Sequence, residues 1–349
     1  MIEVEGLSKD FFVHRKQAGL MGSLRSLVRR EQVVKHAVRQ ATFRVGEGEI
    51  VGLVGANGAG KTTLVKMLAG IIHPSAGAAR VLGHVPWERP RDFQRQIALI
   101  MGQKAQLWWD LPAADCFLLL KEIYQIPERQ YRKTLDYLSG MLQVKGEINI
   151  QIRRLSLGER MKMELIAALL HGPRVVFLDE PTIGLDLTAQ RAIREFILDY
   201  RQERRPAMLL TSHYMEDIER LCERILIIRE GEIVFDGPLA EVMRTHARHK
   251  VVAVQLKPGG TAPDLRRLLE PGMDMQVLEQ GPDRIRIQAP RDEIPNLAGR
   301  LVSQLEVHDL SIEEVDIGTV IEGLLHARGA GEAPVEFVSR TDGAPGAVA

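Results

Sequence analysis

Lys61 and Thr62 close the run GANGAGKTT at 55–63, and that spacing suits a chain of phosphates. The run reads G-x-x-x-x-G-K-T between an apolar stretch, EIVGLV at 49–54, and TLVKMLAG, whose apolar positions recur with helical spacing. Gly55, Gly58 and Gly60, with Asn57 and Ala59 between them, let the backbone bend until its N–H groups point at phosphates. The partial positive charge of a helix N-terminus adds to the attraction. Lys61 is expected to reach the β- and γ-phosphates, the Thr62 hydroxyl to meet a Mg²⁺, and Thr63 to complete the nucleotide-binding set. Gly70 suits the end of that helix.

A second stretch carries acids. RVVFLDEPT, 174–182, is a short apolar run, too short for a helix and rich in strand formers, ending in two carboxylates. Asp179 at the strand end fits a metal ligand, and Glu180, one residue on, fits a general base that polarises a water. A lone Asp-Glu would read as a solvated turn. Pairing with a phosphate loop about 120 residues upstream favours the chemical reading.

A third stretch, LSLGER at 155–160, has two readings. Ser156 and Glu159 have the S-x-x-E spacing of a capping box ahead of the helical run KMELIAALL, which needs no ligand. The same helix end, with free amides and a favourable dipole, also suits a phosphate.

Together these stretches resemble the nucleotide-binding subunit of an ABC transporter: Walker A at 55–62, signature at 155–159 and Walker B at 175–179 fall in that family's order. Smaller pieces agree. Gln103 in LIMGQKAQLWW resembles the Q-loop glutamine, Asp186 in Gly184-Leu185-Asp186 the D-loop, His213 in LLTSHYMEDIERL the switch histidine, and Phe11 in GLSKDF the ring set against adenine. The resemblance spans about residues 1–245. It implies an ATPase using ATP and Mg²⁺, in which Thr62, Asp179 and Gln103 hold the metal and Glu180, His213 and Gln103 serve hydrolysis. It further implies a head-to-tail dimer, with a like or related subunit, in which Ser156, Gly158 and Glu159 of one chain grip the nucleotide on the P-loop of the other. Ser156 would then cap its helix when empty and serve the phosphate when the dimer closes. An integral membrane permease is the implied partner, and the cytoplasmic face of the cell membrane the implied location, with no nucleic acid expected. The departure of LSLGER from L-S-G-G-Q, at Leu157 and Glu159, a basic insertion after Phe12 and the C-terminal extension lean toward an exporter. The alternative is a soluble ABC ATPase without a transporter.

The elements that must position these residues follow. The expected fold is α/β, a P-loop NTPase over residues 1–245 with a helical subdomain at about 104–165, where FLLLKEIYQI and YRKTLDYLSGML have helical spacing. Trp108 and Trp109 in that subdomain are candidate anchors for the permease. RILIIREGEIVFDG, 224–237, reads as a hairpin turning at Glu230-Gly231. A basic amphipathic insertion is expected over about 13–39: residues 15–39 hold seven Lys/Arg against one Glu, and Leu20, Leu24, Leu27 and Val28 share one helical face. Residues 246–328 read β-α-β-β-α-β, a small α+β accessory domain of ferredoxin-like order, and the Gly/Pro/Ala-rich 329–349 reads as a flexible tail.

Composition sets the outer limits. The 349 residues suffice for two domains, and a formal net charge of zero argues against a partner bound through overall basicity. Cys116 and Cys222, far apart, propose neither a disulfide framework nor a zinc site. The acidic start, MIEVEGLSKDFF, lacks the apolar stretch of a signal peptide, and the sequence holds no run of about 18 or more apolar residues of the kind that spans a bilayer.

Overall fold

The computed structural model describes residues 1–14, 32–246, 249–257 and 275–314, with Gly318 and Ile321. Three short apolar runs become strands buried on both faces: β3 (Ile50–Val54), β6 (Val175–Asp179) and β7 (Ala207–Thr211) are buried at every position. They join β5 (Ile97–Met101), β8 (Arg224–Arg229) and β9 (Glu232–Pro238) in one sheet ordered β5-β6-β7-β3-β8-β9. All neighbours run parallel except β8 and β9, a hairpin turned by Glu230 and Gly231 at φ 49° and 88°. In such a sheet ligands meet the carboxyl ends of the strands. The phosphate loop follows β3, Asp179 ends β6, Gln103 lies just past β5, and Thr211 and His213 lie at and past the end of β7.

Alternate residues of the central strands feed two cores, as the two-residue period of a strand requires. Ile50, Val54, Ile100, Val176, Leu178, Met208 and Leu210 face one side. There they meet α3 (Ala113–Tyr124), α4 (Glu128–Met141), α5 (Leu157–Leu169), α6 (Leu187–Arg204) and α7 (Met215–Leu221). Val51, Leu53, Phe177, Leu209 and Leu226 face the other. That side is closed by α1 (Lys61–Leu68) and by an antiparallel sheet ordered β2-β1-β4, made of β1 (Ile2–His14), β2 (Gln32–Val45) and β4 (Ala76–Val81). The end of α1 is capped as expected: Gly70, at φ 73°, donates to Met67 O and Ile71 donates to Lys66 O. A short helix α2 (Arg91–Gln94) precedes β5, and α8 (Leu239–His246) follows β9.

The insertion at 13–39 needs correction at both ends. Strand β1 runs through His14, and β2 begins at Gln32 and pairs with it as far as His14↔Gln32. Residues 32–39 are therefore ladder, exposed from Val33 to His36 and buried at Ala37 and Val38. The remaining stretch, with Leu20, Leu24, Leu27 and Val28, lies outside the described residues, as does the tail at 329–349.

The C-terminal strands β10 (His249–Leu256), β11 (Gln276–Gln280), β12 (Arg284–Pro290) and β13 (Val307–Glu314) form a separate antiparallel sheet ordered β11-β12-β10-β13. This is the strand order of a ferredoxin-like domain. Val252, Val254, Ile285 and Ile287 pack on Leu297 and Leu301 of α9 (Ile294–Gln304). Val251, on the opposite face, joins Val242 and Ile321 in the first of the two main cores. The first helix expected here, APDLRRLLE, lies outside the described residues.

Candidate active site

The loop after β3 turns tightly because its glycines permit it. Gly58 and Gly60 take φ 80° and 112°, and a Cβ on Gly60 would stand 2.1 Å from the Ala37 carbonyl oxygen. The β1–β2 arm can thus lie directly on the loop. Lys61 is buried at the start of α1, its Nζ donating to the carbonyls of Gly55 (2.5 Å) and Ala56 (3.1 Å). Burial pulls its pKa down, and the nearby carboxylates of Glu180 and Asp179 push it back up. A cavity of about 510 Å³ opens above, lined by Phe11, Phe12, Lys35, Ala37, Asn57, Gly58, Gly60, Lys61, Thr62, Thr63 and Glu180.

Asp179 and Glu180 leave β6 in different directions. Thr62 Oγ1 donates to Asp179 Oδ1 at 3.2 Å, and Thr211 Oγ1 donates to the same oxygen at 2.7 Å. Glu180 adopts φ 57°, a left-handed conformation uncommon for a residue with a Cβ. The turn is held by its N–H donating to Thr211 O at 3.0 Å. Its buried carboxylate is gripped on both oxygens: Gln103 Nε2 donates to Oε2 at 2.7 Å, and His213 Nε2 stands 2.6 Å from Oε1. The donors around Asp179 and Thr62 are hard oxygens, the type that suits Mg²⁺, and Gln103 can add its amide oxygen once its nitrogen is engaged by Glu180.

LSLGER forms the full capping box. Ser156 N and Oγ both donate to Glu159 Oε2 at 2.8 Å, and Glu159 N donates to Ser156 Oγ at 3.3 Å. These bonds from Ser156 hold the Glu159 carboxyl below the usual glutamate range. Leu157 next to it is exposed, and Gly158 faces α6 so closely that a Cβ would meet Ala189 Cβ at 3.0 Å. Asp186 caps α6 by accepting from Ala189 N at 2.8 Å.

The chain therefore brings Gln103, Lys61, Thr62, Asp179, Glu180 and His213 together beside a cavity that also includes Phe11, Asn57 and Thr63. Ser156, Gly158, Glu159 and Asp186 do not line that cavity. Sequence reasoning missed Thr211, Lys35 and Phe12. Thr211 was legible in outline, since it ends an apolar strand just before Ser212-His213.

A strand–loop–helix phosphate cradle whose Thr faces a strand-end Asp, with a second carboxylate poised beyond it, defines a P-loop NTPase. The comparisons narrow the class: the chain belongs to the ATP-binding proteins of ABC transporters. Residues 38–183 match the family described as ABC transporter, and residues 248–313 match the EvrA-like ABC transporter C-terminal domain. The ABC transporter ATP-binding protein NatA of Bacillus subtilis is 32% identical over 210 residues, covering 60% of this chain and 85% of the relative. The Nod factor export ATP-binding protein I of a Rhizobium species is 28% identical over 289 residues, covering 80% and 91%. A solved ATP-binding subunit of an ABC transporter superposes with TM-score 0.58 at 26% identity, covering 70% of this chain and 92% of that one. The chain is an ATP-binding ABC ATPase.

Proposed function

We propose that this chain powers a separate membrane permease, in the export direction, by dimerising head to tail around two ATP–Mg²⁺. One observation carries the permease reading. Trp108, Trp109 and Ile123 are 45%, 49% and 61% exposed, and Leu118 and Leu119 beside them are exposed as well. Trp108 and Ile123 flank a groove of about 410 Å³ between β5, α3 and α5, a few residues from Gln103. Large apolar side chains left exposed around a groove on a folded domain favour a partner. Gln103, three residues before Gln106 in the groove lining, bonds the Glu180 carboxylate, and would link such a partner to the candidate base. Two further points support export: the near full-length likeness to a Nod factor export ATP-binding protein, and an accessory domain beyond about residue 245. No helix among the described residues is long and apolar enough to cross a membrane. In this reading the chain sits on the membrane's cytoplasmic face through its partner.

In this reading Thr62, Asp179 and Gln103 would hold Mg²⁺, which would supply charge neutralisation for the phosphates. Lys61 turns from its loop carbonyls to the phosphates, and Phe11 covers the base. Glu180 takes the proton of the attacking water, steadied by Gln103 and His213. Ser156 and the amides at the start of α5 close on the γ-phosphate of the opposing chain.

The test is a pull-down from detergent-solubilised membranes of the native cell with Glu180→Gln and ATP, repeated with Ile123→Glu added. A stoichiometric multi-span membrane protein, lost on adding Ile123→Glu, supports the reading. A partnerless soluble dimer moves the protein to the alternative, an ABC ATPase uncoupled from transport.

A further inference from the structure

Asp217 is fully buried on α7, yet three side-chain donors converge on it. Its Oδ2 accepts from Thr182 Oγ1 and, at 2.6 Å, from Ser212 Oγ. Its Oδ1 accepts from Arg194 Nε at 2.5 Å. Arg194, also buried, spends its other nitrogens on Gln190 Oε1 at 3.1 Å and Glu216 Oε1 at 2.9 Å. Gln190 in turn donates to the Leu185 carbonyl at 3.0 Å.

The chain positions of these donors matter. Thr182 lies two residues past Glu180, Ser212 immediately precedes His213, and Leu185 immediately precedes Asp186. Ser212 Oγ also accepts from Tyr214 N at 3.0 Å, so it clamps both sides of His213. One ion pair thus reaches the three segments that carry the candidate base, the candidate switch residue and the D-loop acid. Stability alone does not explain it, because a buried ion pair is often replaceable by well-packed apolar side chains without loss of fold. Fixing loop geometry does explain it, because charge-assisted hydrogen bonds are directional as well as strong.

We propose that the Arg194–Asp217 pair is a positioning device for hydrolysis, setting Glu180, His213 and Asp186 in register with one another. The inference rests on the reading of Glu180 and His213 as the hydrolytic pair. Neither Arg194 nor Asp217 touches the nucleotide cavity. Both act through the loops they hold, so their loss should spare binding and slow turnover.

The experiment compares the full chain with Asp217→Asn, the double variant Arg194→Met/Asp217→Leu, and Glu180→Gln. Each is followed by steady-state ATP hydrolysis, fluorescent-nucleotide binding and a thermal melt. Both hub variants are expected to lose on the order of 100-fold in kcat, the scale of a small misplacement of reacting groups. Their KM and nucleotide Kd should stay within about threefold of the parent, the pattern of an interaction absent from ground-state binding. Adding His213→Ala to Asp217→Asn should cost far less than His213→Ala costs the parent, since His213 would already be misplaced. A hub variant that melts cooperatively and turns over at the parental kcat overturns the proposal. So does a loss confined to KM, or a failure of both variants to fold, which would make the pair a folding requirement. Loss of turnover in Glu180→Gln beside parental hub variants sinks the hub alone. Parental turnover in Glu180→Gln removes the hydrolytic reading and the hub with it.

Discussion

Gly102 and Glu180 lie so close that a Cβ on Gly102 would stand 1.9 Å from the Glu180 carbonyl oxygen. Gly102 N also donates to Asp179 O at 2.9 Å. The segment leaving β5 therefore rests directly on the turn that carries both candidate acids, and Gln103 is the next residue along. Gly102→Ala must push the two segments apart, because the opposing atom is backbone and cannot swing away. We expect nucleotide binding within a few-fold of the parent and a kcat loss on the order of tenfold to hundredfold. Side-by-side kcat and Kd measurements check this, and an unchanged kcat would show that the turn yields freely.

Glu159 decides how easily Ser156 is released. Its carboxylate holds the Ser156 N–H and hydroxyl, and it is itself an anion at the helix end where the opposing γ-phosphate would arrive. Glu159→Gln removes that repulsion. In a Glu180→Gln background, ATP-dependent dimerisation should tighten several-fold, the effect of about 1 kcal/mol between partly solvated charges. Sedimentation across an ATP titration reads it, and a weaker dimer counts against the repulsion argument. The same contacts set a pH dependence. The folded pKa of Glu159 is depressed, so its contribution to the start of α5 is complete above the ordinary glutamate range and fades as pH falls through the lowered value.

His171 carries a second pH dependence. Its ring stacks on Tyr124 at 4.0 Å, its Nε2 lies 3.0 Å from the Ile97 carbonyl, and its buried Nδ1 has no partner among the described residues. The ring is therefore the neutral Nε2–H tautomer, and burial lowers its pKa to about 4. The unfolded chain takes up a proton near pH ~6.5 while the folded one does not. Stability should thus be full above about 6.5 and fall progressively toward pH ~4, by up to about 3 kcal/mol. Urea titrations across that range should show the slope, and His171→Phe should flatten it. An equal slope in His171→Phe would assign the effect elsewhere.

Phe11 and Phe12 both line the nucleotide cavity, but they are not equivalent. Phe12 is 68% exposed, whereas Phe11 is half-buried with Lys9 Nζ 5.2 Å from its ring centroid. A held ring loses less freedom on stacking. Phe11→Ala should weaken ATP binding about tenfold, within the ~1–3 kcal/mol of a base–aromatic stack, and Phe12→Ala clearly less. Binding of a fluorescent ATP analogue distinguishes them, and the reverse order would make Phe12 the stacking ring.

The parts legible in the sequence are those whose chemistry is local. GANGAGKT binds phosphate through the backbone of its own residues, so eight consecutive positions suffice to read it. The Ser156–Glu159 box needs only one helical turn, and the β8–β9 hairpin only its two-residue turn. The C-terminal strands were readable because short runs rich in β-branched residues, such as KVVAVQL and DRIRIQA, favour strand without reference to their neighbours. Residues 32–39 were misread for a related reason. Lys35, His36 and Arg39 sit among apolar residues, and one basic stretch with both patterns does not reveal that its partner strand is β1.

Tertiary structure decided what depends on residues far apart in the chain. That Gln103 and His213 share the Glu180 carboxylate, that Thr62 and Thr211 share one oxygen of Asp179, and that Arg194 and Asp217 tie together three loops are contacts across roughly 20 to 120 positions. A side-chain hydrogen bond works only within about 3 Å and a narrow angle. Residue types along the chain can nominate the donors and acceptors. Only the packing of parallel strands, which sets their carboxyl ends side by side, determines which of them meet.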